Sequence, residues 1–251
     1  ADVRVCYSQI DALKIAKENP NKNVIFIAVG FETTTPLTAA TLKRAKAEGL
    51  GNFYILNAHK SVPNTLEVLV NDKDIKLNAL ILPGHVSTII GIKPYKFLSE
   101  KYKIGGGVTG FEPIDILLAI RSLLLQIRDN KPQIVNAYGR AVKNEGNIVA
   151  CTTIEEVFKP CDSNWRGLGI IPNSGYELKD EYKCFDAQPK FKVDTSYSLE
   201  NSACKCGEVL RGKITPKDCP LFDKACNPQN PIGPCMVSSE GSCAAYFKYL
   251  R

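Results

Sequence analysis

The sequence predicts an α/β fold: a doubly wound parallel sheet followed by a C-terminal cysteine-rich domain. Three observations carry this. Short apolar runs alternate with amphipathic stretches of helical length. Several of those stretches open on proline, whose fixed φ suits a first helical turn. Six of the chain's ten cysteines then crowd into its last 48 residues.

The elements follow in order. Val3–Tyr7 reads as a strand, and Ser8 as the N-cap of a helix that stops before Asn19-Pro20-Asn21. Together they read as the tail end of a domain, residues 1–20. Val24–Val29 is a continuous apolar run, the mark of a parallel strand covered on both faces. Thr35-Pro36 opens a helix to about Lys46, and Phe53–Leu56 is the next strand. Val62-Pro63 opens a helix to about Val70, and Ala79–Leu82 is a third strand. Pro94–Lys101 reads as a helix and Gly105–Thr109 as a glycine-rich fourth strand. Glu112-Pro113-Ile114 starts a long helix through Arg128. This alternation defines an α/β domain over residues 21–130. Residues 131–183 form a return or crossover segment. Within it Val135–Val142 reads as a helix, Ile148–Val157 as helix or strand, and Trp165–Pro172 as a turn and short strand. Residues 184–251 form the cysteine-rich domain.

Composition narrows the function. At 251 residues there is room for about two domains. The net charge of +6 is spread among interspersed signs with no run of five like charges, which describes a solvated surface and not a nucleic-acid patch. No apolar run reaches the ~18–20 residues of a membrane span. The longest candidate, Ile114–Ile127, is broken by Asp115, Arg121, Ser122 and Gln126. No basic stretch leading into an apolar one marks a secretion signal. With ten cysteines, the expectation is a reducing cytoplasm and a metal or redox role. Neither a phosphate-binding glycine loop nor a serine nucleophile elbow is present, and Gly105-Gly106-Gly107 reads as a close backbone approach.

Open parallel sheets bind ligands beyond the carboxyl ends of their strands. Past the first strand lies Gly30-Phe31-Glu32, at the second His59, past the third Gly84-His85, and past the fourth Gly110-Phe111-Glu112. Both histidines of the chain fall at such ends. His59, His85, Glu32 and Glu112 are therefore candidates for a cleft. The plainer reading is that the two glutamates serve helix N-termini, where carboxylates are favoured.

The cysteine segment reads Cys204-Lys205-Cys206, then Cys219, Cys226, Cys235 and Cys243, with Pro216, Pro220, Pro228, Pro231 and Pro234 between. Proline excludes a long helix or central strand, so the segment needs a staple. Disulfides belong to oxidising compartments. Zinc sites use Cys-x2–4-Cys knuckles, whereas the gaps after Cys206 are 12, 6, 8 and 7 residues. An iron–sulfur cluster takes four thiolates at wide spacing and leaves two over, enough for a redox dithiol. The spacing ranks cluster, zinc and disulfides in that order and leaves all three open. Cys6, Cys151, Cys161 and Cys184 fall at no metal spacing and read as buried small apolar residues.

Longer blocks carry a resemblance. Gly-Phe-Glu-Thr-Thr (30–34), Gly-His-Val-Ser-Thr-Ile-Ile-Gly (84–91) and Gly-Phe-Glu-Pro-Ile-Asp-Ile-Leu (110–117) resemble the HypD family of hydrogenase maturation factors. So do Trp-Arg-Gly-Leu-Gly-Ile-Ile-Pro (165–172), Cys-Gly-Glu-Val-Leu-Arg-Gly (206–212) and Pro-Cys-Met-Val-Ser-Ser-Glu-Gly-Ser-Cys-Ala-Ala-Tyr (234–246). The resemblance implies a redox-active assembly factor for the Fe(CN)2CO unit of [NiFe]-hydrogenases, not a conventional turnover enzyme. It implies HypC-type chaperone and HypE-type cyanide-delivering partners, and no nucleic acid or membrane. It also implies two similar α/β domains facing a cleft, with a C-terminal [4Fe-4S] domain similar to ferredoxin:thioredoxin reductase. By the same resemblance Cys204, Cys219, Cys226 and Cys243 are ligands, Cys206 and Cys235 the redox pair, and Glu240 a functional carboxylate nearby, against its plain reading as a solvated loop residue. The family is longer by roughly a hundred residues, about a domain. It carries there a Gly-Pro-Gly-Cys-Pro-Val-Cys motif absent here, so the chain is expected to be a part of such a protein. The alternatives are a zinc-stabilised interaction scaffold and a cluster-dependent thiol–disulfide reductase.

Overall fold

The computed structural model describes residues 2–75, 77–191 and 201–250. Helix α1 spans Gln9–Glu18. The Ser8 hydroxyl accepts the Ile10 N–H at 3.2 Å, and the Asp11 carboxylate accepts the Ser8 N–H at 3.2 Å. This reciprocal cap fixes the first turn. Val3, Val5 and Tyr7 are exposed and form no ladder. The expected strand there is corrected: its apolar residues find no pairing partner among the described residues.

Strands β1 (Val24–Gly30) and β2 (Phe53–His59) pair in parallel from Val24↔Phe53 to Gly30↔His59. The crossover between them is α2 (Thr35–Ala47), with Pro36 in its first turn and Thr38, Ala39, Leu42 and Ala45 facing inward. After α3 (Val62–Asn71), strands β3 (Ala79–Pro83), β4 (Gly105–Thr109) and β5 (Ile134–Asn136) form a second parallel sheet in that order. The expected single sheet is therefore two sheets, of two and three strands.

Helix α4 (Gly84–Ile90) starts directly at the end of β3; the Ser87 hydroxyl donates to the Pro83 carbonyl at 2.8 Å in its first turn. A 3-10 turn (Lys93–Tyr95) and α5 (Lys96–Glu100) lead to β4. The glycines of β4 are a close approach, as the sequence suggested. A Cβ on Gly106 would lie 2.8 Å from Leu82 and Ile134 side chains, and one on Gly105 2.4 Å from Gln126 Oε1. Gln126 belongs to α6 (Pro113–Asp129), which ends at Asn130 in the left-handed region.

The helix expected over 135–142 is corrected to strand and turn. Asn136 Oδ1 accepts the Tyr138 N–H at 3.0 Å and Asn136 Nδ2 donates to the Val142 carbonyl at 2.8 Å. Such local side-chain bonds compete with a helix for the same backbone groups. Helix α7 (Ile148–Val157) is N-capped by Asn147. Strands β6 (Phe158–Trp165) and β7 (Gly169–Leu178) pair as a hairpin. A 3-10 turn (Asp180–Phe185) and α8 (Ala187–Lys190) follow.

The described residues divide into two compact units. The first draws on 2–67, 77–163 and 172–191, and its core gathers Leu13, Ala28, Leu42, Phe53, Ile55, Val157 and Phe158. The second draws on 68–75, 164–171 and 201–250. No helix among the described residues is long and apolar enough to cross a membrane.

Candidate functional site

In the second unit prolines set the elements. Helix α9 (Cys206–Leu210) is a single turn. A 3-10 turn (Pro216–Asp218) is fixed by Thr215, whose N–H and hydroxyl both donate to the Asp218 carboxylate, at 2.8 and 2.7 Å. Helix α10 (Pro234–Val237) opens on proline, and α11 (Ser242–Tyr249) closes the chain's described part. Each carries or delivers a cysteine: Cys206 starts α9, Cys219 follows the 3-10 turn, Cys235 lies in α10 and Cys243 in α11. Cys226 sits in the intervening turns, where its sulfur accepts the Ile232 N–H at 3.3 Å.

These thiols build the unit's interior. Cys206, Cys219, Cys226, Cys235 and Cys243 are buried together with Val209, Phe222 and Met236, and Cys204 packs against them. Phe222 supports the group edge-on to Tyr246 and Phe247 at 6.0 and 6.1 Å. Gly233 admits Cys204, because a Cβ there would lie 2.6 Å from its sulfur. The Cys235 thiol donates to Cys243 Sγ at 3.3 Å. That bond, with burial, raises the Cys235 pKa, and the same bond lowers that of Cys243 against the opposing effect of burial. Charges on Cys219, Cys226 and Cys204 also act on Cys243. Burial, then Cys204 beside it, pushes the Cys206 thiol up to about 12, and Cys235 contributes to the same effect. All ten cysteines carry free thiols. Among the described residues no three His, Cys, Asp or Glu side chains stand close enough to hold a single metal ion. Glu240 is exposed between α10 and α11, its N–H bonded to the Ser238 hydroxyl at 3.2 Å.

The strand-end residues of the first unit separate into two kinds. Glu32 is 2% exposed, and both its oxygens accept the Val62 N–H that opens α3, at 3.0 and 3.3 Å. Burial raises its pKa. His59 is also 2% exposed; its Nδ1 sits 2.7 Å from Asn57 Oδ1, and its Nε2 has no hydrogen-bond partner among the described residues. By contrast His85 is exposed in the first turn of α4, edge-on to Phe111 at 4.9 Å. Glu112 is exposed and 3.1 Å from Arg140. The sequence reading missed Asp115, which is buried and takes two guanidinium nitrogens of Arg140 at 2.7 and 2.6 Å. Arg140 holds its carboxyl below the usual range. A lone carboxylate on the apolar run of α6 was the available signal, since a buried charge requires a partner.

Burial lowers the His59 pKa to about 4, so the native imidazole is neutral where the unfolded one, near 6.5, takes a proton. The unfolded state binds more protons across that window, so stability falls as pH drops from about 6.5 to 4, by on the order of 3 kcal/mol. Glu32 works in the opposite sense, because its raised pKa favours the native state on acidification. The difference between wild type and His59→Phe isolates the histidine. Denaturant melts at pH 7 and 4.5 are expected to show the wild type losing more stability than the variant; parallel losses would refute a neutral buried His59.

A family model described as HypD, hydrogenase formation hypA family, matches residues 1–250. A putative hydrogenase expression/formation protein of Methanocaldococcus jannaschii is 46% identical over 250 residues, which cover 100% of this chain and 70% of that protein. Hydrogenase maturation factor HypD of Escherichia coli is 44% identical over 254 residues, covering 100% of this chain and 68% of its own length. The HypD of Rhizobium leguminosarum bv. viciae is 43% identical over 258 residues, covering 100% and 67%. The family match over residues 1–250 and this level of identity across the whole of this chain establish that the chain belongs to the HypD family of hydrogenase maturation factors.

Proposed function

We propose that the chain serves as a redox-active assembly factor in [NiFe]-hydrogenase maturation and that its C-terminal unit holds a [4Fe-4S] cluster. In this reading Cys204, Cys219, Cys226 and Cys243 are the ligands, and Cys206 and Cys235 form the dithiol. The observation that carries it is the gathering of six thiols into one interior. The donor set fits: soft, buried sulfurs suit a cluster. Such a cluster, when bound, supplies one-electron chemistry to a site beside a two-electron dithiol.

The protein's own residues then have distinct tasks. Cys206 and Cys235 hold a pair of electrons as thiols and give it up on forming a disulfide. Gly233 and the Cys226 hydrogen bond to the Ile232 N–H fix the loop between them. The exposed His85 and Glu112 are available to meet a partner or move a proton. The buried Glu32 holds the Val62 N–H at the start of α3, and the buried His59 pairs with Asn57. HypC- and HypE-type partners, assembly of an Fe(CN)2CO unit and a cytoplasmic setting belong to the same proposal, supported by the family. Glu240, exposed three residues before Cys243, is the candidate proton carrier of that proposal.

The test is iron, sulfide and zinc content after anaerobic purification, with the visible spectrum. About four iron and four sulfide per chain, with a broad band near ~400 nm, are expected. One zinc without sulfide would overturn the redox reading and leave a zinc-stabilised scaffold.

A further inference from the structure

Helix α6 is amphipathic the wrong way round. A surface helix normally turns its apolar stripe to the core and its charges outward. Here the buried positions are Asp115, Ala119, Leu123 and Gln126. Asp115 holds Arg140, and Gln126 Oε1 accepts the Gln133 N–H at 3.0 Å. Ala119 lies close over β4, where a Cβ on Gly107 would come within 3.4 Å of its own. The helix is thus seated by small and polar contacts. Ile114, Leu117, Leu118, Ile120, Leu124 and Ile127 stay exposed, Leu117 and Leu124 at 61% each. Contiguous apolar surface of this kind marks an interaction site.

The outward side has a length and a charge. Ile114, Leu117, Arg121, Leu124 and Arg128 follow at spacings of three or four residues and share one stripe. From 114 to 128 the stripe runs about 21 Å. Arg128 is paired with Asp129 at 2.7 Å. Arg121, at the middle, is exposed and makes no hydrogen bond or ion pair among the described residues.

These features choose among occupants. A second copy would meet the stripe across a twofold axis, which sets its middle residue against itself. Arg121 would then face Arg121, a like-charge contact that suppresses such pairing. A membrane surface is held by a polar face rich in Lys and Arg, whereas the stripe offers one unpaired cation. A partner helix with apolar residues at matching spacing and a carboxylate at its middle satisfies both the aliphatic surface and Arg121.

We propose that the outward side of α6 docks an amphipathic helix of another protein, about four turns long, with a central carboxylate against Arg121. The N-terminal end of the stripe follows directly on the exposed Phe111 and Glu112, so the docked helix would end beside them. The inference is independent of the cluster.

The test measures fluorescence anisotropy of two labelled helical peptides of about 15 residues on the full chain purified anaerobically. Both carry leucine at the apolar positions; one has a central Glu and the other a central Lys. The Glu peptide is expected to bind about tenfold more tightly, the low end of the coupling between close charges at an interface. Arg121→Glu should reverse the order, a change of sign that unfolding does not give. The double variant Leu117→Gln/Leu124→Gln should lose both peptides while keeping the iron content and melting temperature of the parent chain. Equal binding of the two peptides, indifferent to Arg121→Glu, would overturn the docking site. A dimer by light scattering that the double variant converts to monomer would overturn it in favour of a second copy. Capture by phosphatidylserine vesicles in place of either peptide would overturn it in favour of a membrane. A Glu peptide bound by this chain and refused by full-length HypD of Escherichia coli would assign the stripe to that protein's own further length and overturn a separate partner.

Discussion

Cys219→Ser is expected to strip iron and sulfide from the anaerobically purified chain, from about four of each to near none. Cys206→Ser is expected to keep both and, carried in the full-length protein, to abolish hydrogenase maturation in a host whose own family member is deleted. Both residues are buried in the same interior, so burial does not distinguish them. The distinction lies in their neighbours. Cys219 acts with Cys226 and Cys204 on the thiol of Cys243. Cys206 is influenced by Cys204 and Cys235 and, together with Cys204, lines a cavity of about 150 Å³ in the second unit. A serine hydroxyl is a poor substitute for a soft thiolate but a fair steric one. The coloured Cys206→Ser protein thus serves as the folding control for the bleached Cys219→Ser protein. Bleaching in the Cys206 variant, or colour in the Cys219 variant, would reverse the assignment.

Gly91→Ala is expected to lower the melting temperature by about 6–12 °C. Gly91 has φ 73° and ψ −162°, a region that only glycine occupies at low cost; other residues lose about 1–3 kcal/mol there. The backbone also leaves no space: a Cβ on Gly91 would lie 2.3 Å from the Asn144 carbonyl oxygen, and one on Gly146 would lie 2.1 Å from that of Ile89. Two hydrogen bonds hold the segments together, Ile92 N–H to the Asn144 carbonyl at 3.1 Å and Asn147 N–H to the Ile89 carbonyl at 2.8 Å. Relieving the clash breaks one or both, at about 1 kcal/mol each. A total of about 3 kcal/mol corresponds to the stated shift for a chain of this size. A variant melting within about 2 °C of wild type would show that the two segments are not clasped. The residue closes the block Gly84–Gly91, so part of that block is held by geometry, not chemistry.

What the sequence disclosed depends on whether the cause was local. The first three strands carry their own apolar runs and β4 its own run of glycines, and α1 and α6 carry their own starts and stops. Strand β6 does not: Lys159-Pro160-Cys161-Asp162-Ser163-Asn164 has no apolar run, and pairing with β7 holds it extended. Strand β5 was hidden because one side chain, Asn136, takes the backbone groups a helix would use. At the candidate site the thiol count was legible and the thiol neighbourhood was not. The two Gly-Phe-Glu triplets show the limit best. They read alike, yet Glu32 is buried against Val62 thirty residues on, and Glu112 stands exposed beside Arg140. Partners distant in sequence decide between a structural carboxylate and an accessible one.

Five of the eight buried side chains that form the core of the second unit are cysteines. Val209, Phe222 and Met236, with Ile214, Leu221 and Ile232 packed against them, supply its hydrocarbon contacts, and under the proposed function the remainder of its cohesion is a chemical variable set by the cluster that the sulfurs would hold. Where binding and folding share one free energy, an empty chain opens more often than a filled one. Proteolysis that samples such openings follows their population. Cellular lifetime would then sort finished molecules from unfinished ones, with no separate inspector required.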